Sequence, residues 1–340
     1  MALVRVLVVD DSAFARKVIG DTLRRDPRFD VVGIARDGLE ALEKIAELKP
    51  DVVTLDLVMP NLDGVGVLRA LPAADRPAVV IVSMSDSESE LGIAALAAGA
   101  FDLVHKPTAA ATDRLYELAD DLLAKVAAAG ASTHRPAVMS DEPVRPLAAP
   151  TSAKRSIIVI GASTGGPQAL THILRQMPAD LPIPIAIVLH IPAGYIAAFA
   201  ARLDEECAIR VVEASDGLEL TAGTAVLAQA GIHLKIQKTL RRFRCVLDPL
   251  PFGQPHIPSV DILFESVAHL GKDVLAVVLT GMGDDGLAGS RQLYAAGATI
   301  LTEAESSCVV YGMPRTVAEA GFSAAEVPLA AMAAAILRYV

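Results

Sequence analysis

The chain has 340 residues, enough for two hydrophobic cores, because single domains cluster at roughly 100–200 residues. Apolar residues make up 53%, charged residues 21% and aromatics 4%, with no Trp, an aliphatic globular composition that excludes disorder over most of the length. A net charge of −10 argues against nucleic acid as the main partner; Cys207, Cys245 and Cys308, far apart and without a CxxC pair, give no disulfide framework or cysteine zinc site and fit a reducing cytoplasm.

The first eleven residues hold one short apolar run that ends at Asp10 and Asp11, too short and too soon acidic for a secretory signal, and read as a first strand. β-branched apolar runs at 4–9, 30–35, 52–55, 79–83 and 103–105 then alternate with stretches of helical spacing. Five such units predict a doubly wound five-stranded parallel sheet, where ligands gather outside the carboxyl ends of the strands. Residues 131–153 carry Pro136, Pro143, Pro146 and Pro150 among Ser, Thr and Ala, a composition that extends rather than packs. The expected division is therefore a domain at 1–124, a linker at 125–153 and a second domain at 154–340. The second domain repeats the alternation, with strands at 156–160, 185–189, 209–212, 274–279 and 299–302. Runs at 231–236 and 243–247 predict a β-hairpin, so this half is α/β with a mostly parallel sheet and a hairpin. Residues 181–201 lack Asp, Glu, Lys and Arg over a membrane-helix length, but Pro182, Pro184, Pro192 and Gly194 break them into a strand and a loop, so no membrane insertion is expected.

The acidity is uneven: residues 1–130 hold 14 Lys+Arg against 21 Asp+Glu, and residues 154–340 hold 14 against 17. Part of the first surplus sits at strand ends. Strand one ends in Asp10 and Asp11, strand three in Asp56 and strand four in Ser83, and strand five is followed by Lys106-Pro107. A single acidic residue at a strand end is more often a helix cap. Three carboxylates at one edge repel unless a cation sits among them, and hard oxygen donors suit Mg²⁺. With Lys106 and Ser83 beside it, Asp56 is the natural phosphoryl acceptor.

Residues 1 to about 124 resemble the response-regulator receiver domain, through VVDDSAFAR, the DVVTLDLVMPNLDG run, Ser83 and Lys106-Pro107. The resemblance implies a flavodoxin-like fold, Mg²⁺ held by Asp10, Asp11 and Asp56, phosphorylation of Asp56 by a histidine kinase, and phosphoryl contacts from Ser83 and Lys106. Leu103 stands where receivers commonly carry an aromatic switch residue.

In the second domain, the strand at 156–160 runs into Gly161-Ala162-Ser163-Thr164-Gly165-Gly166, with Pro167 where a helix would begin. The run lacks a P-loop lysine and matches G-x-S-x-G, a strand-turn-helix that exposes a nucleophilic serine; a glycine-rich anion loop is the plainer alternative. A serine needs a base and an acid to orient it. Of seven histidines, His190 directly ends an apolar strand, whereas His172 and His269 fall in helical stretches, His233 in the hairpin and His256 in a Pro-rich loop. The strand at 274–279 ends in Thr280-Gly281-Met282-Gly283-Asp284-Asp285-Gly286, where one aspartate can orient the histidine while the other caps the next helix.

The chain order Ser, His, Asp departs from the Ser, Asp, His order of α/β-hydrolases. Residues 154–340 resemble the catalytic domain of the chemotaxis protein-glutamate methylesterase (CheB) family, through GASTGGPQAL, the His190-Ile191-Pro192 turn, PSVDILFESVA, LTGMGDDGLAG and VVYGMPR. The resemblance makes Ser163 the nucleophile, His190 the base and Asp285 the orienting acid, with Thr164 and the Met282 N–H around the oxyanion. It implies phosphorylation-controlled hydrolysis of glutamate γ-methyl esters, with deamidation of specific glutamines, and no cofactor for that reaction. Implied partners are a chemotaxis-type histidine kinase and the cytoplasmic domains of methyl-accepting chemoreceptors. The family usually has Gln and Met flanking the histidine where Leu189 and Ile191 stand, and Arg where Ile257 stands. Loss of that Arg keeps an alternative open: a receiver-controlled signalling adaptor, outside motility, whose esterase-like domain acts by binding.

Overall fold

The computed structural model describes residues 3–72, 76–106, 114–132, 155–239, 242–250 and 256–340, the side chains of 85–87 and 114–118 excepted. The chain divides into two compact units, Met1–Pro136 and Ala137–Val340.

The first unit alternates β1 (Val4–Val9), α1 (Ala13–Arg24), β2 (Phe29–Ala35), α2 (Gly38–Leu48), β3 (Val52–Leu55), α3 (Gly64–Ala70), β4 (Ala78–Ser83), α4 (Ser85–Ala97), β5 (Asp102–His105) and α5 (Arg114–Ser132). Its parallel sheet has the order β2-β1-β3-β4-β5. Crossovers leave β1 and β3 in opposite directions, which opens a crevice above their carboxyl ends. Polar side chains start the helices that follow: Ser12, Asp37 and Asp63 accept the Ala15, Glu40 and Gly66 N–H groups. The sheet is buried on both faces, with Val6, Val8, Val52, Val80, Val82 and Val104 packed against Ile19 and Leu23 of α1.

The boundary expected at 124 falls inside α5. Leu122, Val126 and Ala129 recur at helical spacing and are buried in the same core, so residues 125–132 belong to the helix rather than a linker. The rest of the expected linker, 133–153, lies outside the described residues, as does Pro107. Lys125 is tied down by the Leu103 carbonyl (2.6 Å) and by Asp121 and Asp102 (3.3 and 3.6 Å), fixing α5 to β5. Leu103 is itself buried, filling the place of the aromatic residue with an aliphatic one.

The second unit follows with β6 (Ile157–Ala162), α6 (Gly166–Leu174), β7 (Ile185–Leu189), α7 (Ile196–Glu206), β8 (Arg210–Glu213), β9 (Glu219–Leu220), β10 (Thr224–Leu227), β11 (His233–Lys238) and β12 (Phe243–Asp248). Then come α8 (Val260–Val267), a 3-10 segment at Ala268–Asp273, β13 (Val274–Val278), α9 (Leu287–Ala295), β14 (Thr299–Glu303), α10 (Met313–Glu319), β15 (Ala325–Val327) and α11 (Leu329–Leu337). Seven parallel strands run β15-β14-β13-β6-β7-β10-β8, and β11-β12-β9 form a small antiparallel sheet. The chain leaves β6 toward β7 and leaves β13 toward β14, so the direction reverses between β6 and β13, and that crevice is the one to search for a site. Ile157, Val159, Ala186, Val188, Val274, Ala276 and Val278 line the sheet's core face under Val260, Leu263, Phe264 and Val267 of α8. The charge-free stretch at 181–201 resolves into β7, a turn and the start of α7; among the described residues no helix is long and apolar enough to cross a membrane.

Candidate functional site

Two clusters form, each at the reversal point of its own sheet. In the first unit, Asp10 and Asp11 follow β1 and Asp56 follows β3, and one carboxylate oxygen from each lies within 4.8 Å of the others. Asp10 and Asp56 are buried, whereas Asp11 faces solvent. Backbone N–H groups of Ser12 (2.8 Å) and Leu57 (2.9 Å) occupy one oxygen of Asp10 and of Asp56. The other oxygen of each faces Lys106 Nζ, at 3.0 and 2.8 Å. Ser83 ends β4 beside them, and its hydroxyl donates to Glu88 of α4, which also accepts the Met84 N–H at 3.1 Å. Sequence reasoning missed Glu88, which sits a helical turn past the strand end.

Burial pushes the Asp56 carboxyl up to about 6, with Lys106 opposing and Asp10 reinforcing the shift. Burial also raises Asp10. Burial works against the Lys106 charge, but the two carboxylates outweigh it and leave Lys106 raised. Such a set of hard oxygen donors, strained as a group of like charges, is the kind of acidic cluster that receives Mg²⁺. A pH signature follows. Between the ordinary value of 3.8 and about 6, folded Asp56 binds more protons than the unfolded chain, so stability falls as pH rises through that window. Without divalent cations, Asp56→Asn is expected to stabilise the first unit at pH 7 by about 2–3 kcal/mol, at about 1.4 kcal/mol per pKa unit. The gain should vanish below about pH 4, and millimolar Mg²⁺ should reverse it. Urea unfolding of both proteins across pH checks this.

In the second unit, β6 and β7 run side by side with Ala162 opposite Leu189, so Ser163 and His190 are the next residues out of adjacent strands. The His190 N–H bonds to the Ala162 carbonyl at 3.0 Å. On the other side, the Ser163 N–H donates to the Thr280 carbonyl, also at 3.0 Å, which fixes the serine against the loop after β13. The turn after Ser163 closes through a left-handed Gly165 (φ 79°), where a side chain would strike Val309, and α6 starts at once. A Cβ on Gly281 would lie 2.8 Å from Ser163 Cβ, so this approach needs glycine.

His190 Nε2 lies 2.9 Å from Asp285 Oδ2, a short contact bent away from the ring N–H direction; catalytic hydrogen bonds often align only when substrate binds. With Nε2 turned to the carboxylate, Nδ1 has no hydrogen-bond partner among the described residues and is the nitrogen left to take a proton. The imidazole stacks on His256, ring centroids 4.5 Å apart and planes 18° apart. Burial alone would raise Asp285, but His190 and the Asp261 and Val260 N–H groups hold it down at about 2. Asp285 therefore stays ionised.

Asp285, not Asp284, faces the histidine; Asp284 is exposed. The expectation that the second aspartate caps α9 is corrected: Asp261 of α8 does so, accepting the Gly286 (3.0 Å) and Gly289 (2.7 Å) N–H groups. Asp285 in turn accepts the Val260 (2.7 Å) and Asp261 (2.9 Å) N–H groups at the start of α8. Thr164 is buried, and its carbonyl accepts the Thr280 hydroxyl at 2.9 Å. Met282 is half-buried on the same loop. Behind the loop, fully buried Glu303 accepts the Thr280 N–H (2.9 Å) and the Ser307 hydroxyl (3.0 Å). It closes β14 one residue beyond the strand end expected from sequence, so a slightly longer strand would have exposed it. Ile257 is 43% exposed and Ile191 is buried.

Comparison with known proteins matches each unit to a family. Residues 158–336 match the CheB methylesterase family, and residues 6–119 match the response regulator receiver domain. A Myxococcus xanthus protein, protein-glutamate methylesterase/protein-glutamine glutaminase 5, is 56% identical, covering 99% of this chain and 98% of its own length. A protein-glutamate methylesterase/protein-glutamine glutaminase of Symbiobacterium thermophilum is 44% identical, over 99% of this chain and 97% of its own. The crystal structure of the Thermotoga maritima CheB methylesterase catalytic domain is similar with a TM-score of 0.53 and 33% identity, covering 55% of this chain and 100% of that one. With a receiver domain at the front, a methylesterase domain behind it and relatives matching from end to end, the chain belongs to the CheB family of receiver-regulated protein-glutamate methylesterases.

Proposed function

We propose that this protein hydrolyses glutamate γ-methyl esters, and deamidates specific glutamines, on the cytoplasmic domains of methyl-accepting chemoreceptors, under control of phosphorylation at Asp56. The observation that carries the proposal is the ionised Asp285 carboxylate 2.9 Å from His190, itself one strand away from the Ser163 turn.

In the reaction, His190 Nδ1 takes the Ser163 proton as Oγ bonds to the ester carbonyl carbon. Thr164 and the Met282 N–H stabilise the oxyanion, and Asp285 stabilises the imidazolium that forms. His190 returns the proton to the leaving oxygen, the C–O bond breaks and methanol departs. Water, deprotonated by His190, then releases the glutamate and restores Ser163. With glutamine the leaving group is ammonia. No metal or organic cofactor takes part in these steps.

In the receiver, Asp10, Asp11 and Asp56 would hold Mg²⁺, which when bound offsets the negative charge of a phosphoryl group. Asp56 attacks the phosphorus of a phosphohistidine on a chemotaxis-type histidine kinase, and the P–N bond breaks as the O–P bond forms. Lys106 and Ser83 then contact the phosphoryl oxygens, so Ser83 must exchange Glu88 for its new partner. The segment following α5 connects this event to the esterase domain, and the protein works in the cytoplasm, where both kinase and receptor tails lie.

The test is methanol release from methylated receptor membranes by the full chain, with and without a small phosphodonor and Mg²⁺. Release that rises with phosphodonor is expected. No release under either condition would favour the adaptor alternative.

A further inference from the structure

Asp285 is held by more than backbone. The Ser259 hydroxyl donates to Asp285 Oδ1 at 2.9 Å, and both groups are buried. Together with the Asp261 N–H on Oδ1, and the Val260 N–H and His190 on Oδ2, this gives each carboxylate oxygen two partners. Ser259 is the one side chain other than His190 in that set. Its own position is fixed from behind: the Ser259 N–H donates to Nδ1 of His233 at 3.1 Å, and His233 is fully buried at the start of β11. An acceptor Nδ1 means a neutral imidazole protonated at Nε2, and burial, which lowers the His233 pKa, keeps it so. The Ser259 oxygen also lies 3.4 Å from the Ile262 N–H, as an N-cap of α8.

We propose that Ser259, seated by His233, is a positioning residue that sets the orientation of the Asp285 carboxylate toward His190. The inference rests on the triad proposed above. The two N–H donors belong to consecutive residues at the start of α8, one for each oxygen. They fix where the carboxylate sits but leave it free to tilt, and the hydroxyl on Oδ1 removes the tilt. A carboxylate that tilts loses the line to His190 Nε2, and with it the tautomer that leaves Nδ1 ready for the serine proton.

The experiment measures methanol release by the full chain carrying Ser259→Ala, Ser259→Gly or Ser259→Thr, each also combined with Asp285→Asn. Ser259→Ala is expected to lower kcat about 10- to 100-fold, the scale of one hydrogen bond to a charged group, with KM unchanged within about twofold. Glycine is tolerated at helix N-caps, so Ser259→Gly should keep the melting temperature near that of the parent and lose the same kcat. Thr, which keeps the hydroxyl, should restore most of it. In the Asp285→Asn background, Ser259→Ala should cost nothing further, because the carboxylate it orients is gone. Near-parental kcat in both Ser259→Ala and Ser259→Gly, or the same loss in both backgrounds, overturns the proposal while leaving the triad standing. A near-parental rate for Asp285→Asn alone overturns the triad, and the positioning role with it.

Discussion

Alanine at Ser163 or at His190 is expected to lower kcat for methanol release by about 10⁶-fold, and the double substitution should cost little more. Members of a nucleophile–base pair act as a unit, so losing either leaves only what substrate binding and the oxyanion donors supply. Asp285→Asn should fall less far, by about 10⁴-fold, because the amide keeps the place but presents the wrong partner to Nε2. Asp284→Ala is the internal control: its side chain is exposed on the same loop, and its loss should be mild. Steady-state release of methanol from methylated receptor membranes, with circular dichroism to show that each variant is folded, separates these outcomes. A His190→Ala variant near the parental rate would remove the triad from consideration.

Asp56→Asn is expected to abolish covalent phosphorylation and to leave methanol release indifferent to phosphodonor, while the basal rate survives. The parent should respond on the order of tenfold, the scale of a coupling free energy of about 1–3 kcal/mol. Asparagine keeps the size and the Lys106 contact but offers no carboxylate oxygen for an acyl phosphate. Acid-labile phosphate incorporation and the ratio of rates with and without phosphodonor are the two readouts. A retained response in Asp56→Asn would place the switch elsewhere. An unchanged basal rate and an unchanged melting temperature in the assay buffer separate a lost response from a damaged fold.

The strands that carry chemistry were legible because they are rich in β-branched residues and buried on both faces: β1, β3, β6, β7 and β13 all lie within a residue or two of where apolar runs place them. Reading the polar residue after each run pointed to Asp10, Asp56 and His190, the G-x-S-x-G turn pointed to Ser163, and the loop after β13 offered Asp284 and Asp285 alike, a choice that only the family resemblance made. β10 (TAVL) and β15 (AEV) were not legible: they carry fewer β-branched residues than β3 (VVTL), and their strand character comes from pairing with β7 and β14 rather than from their own pattern. α5 was cut short on composition, because its alanine-rich end resembles linker until the burial of Val126 and Ala129 is known. Ser259 was not legible: its bond to Asp285 spans 26 residues of sequence, and no periodicity encodes such a contact.

Asp261 and Asp285 each close the start of the other's helix region, α9 and α8 respectively, so the two helices are latched by an exchange of carboxylates. One arm of that latch is also the acid of the proposed triad. An inactive protein made to trap a receptor complex, or to serve as a silent reference in cells, therefore should not be built by alanine at 285, which removes both acceptor oxygens so that chemistry and architecture fail together. Position 163 lies outside the latch, and alanine there disarms the enzyme while both helices stay locked.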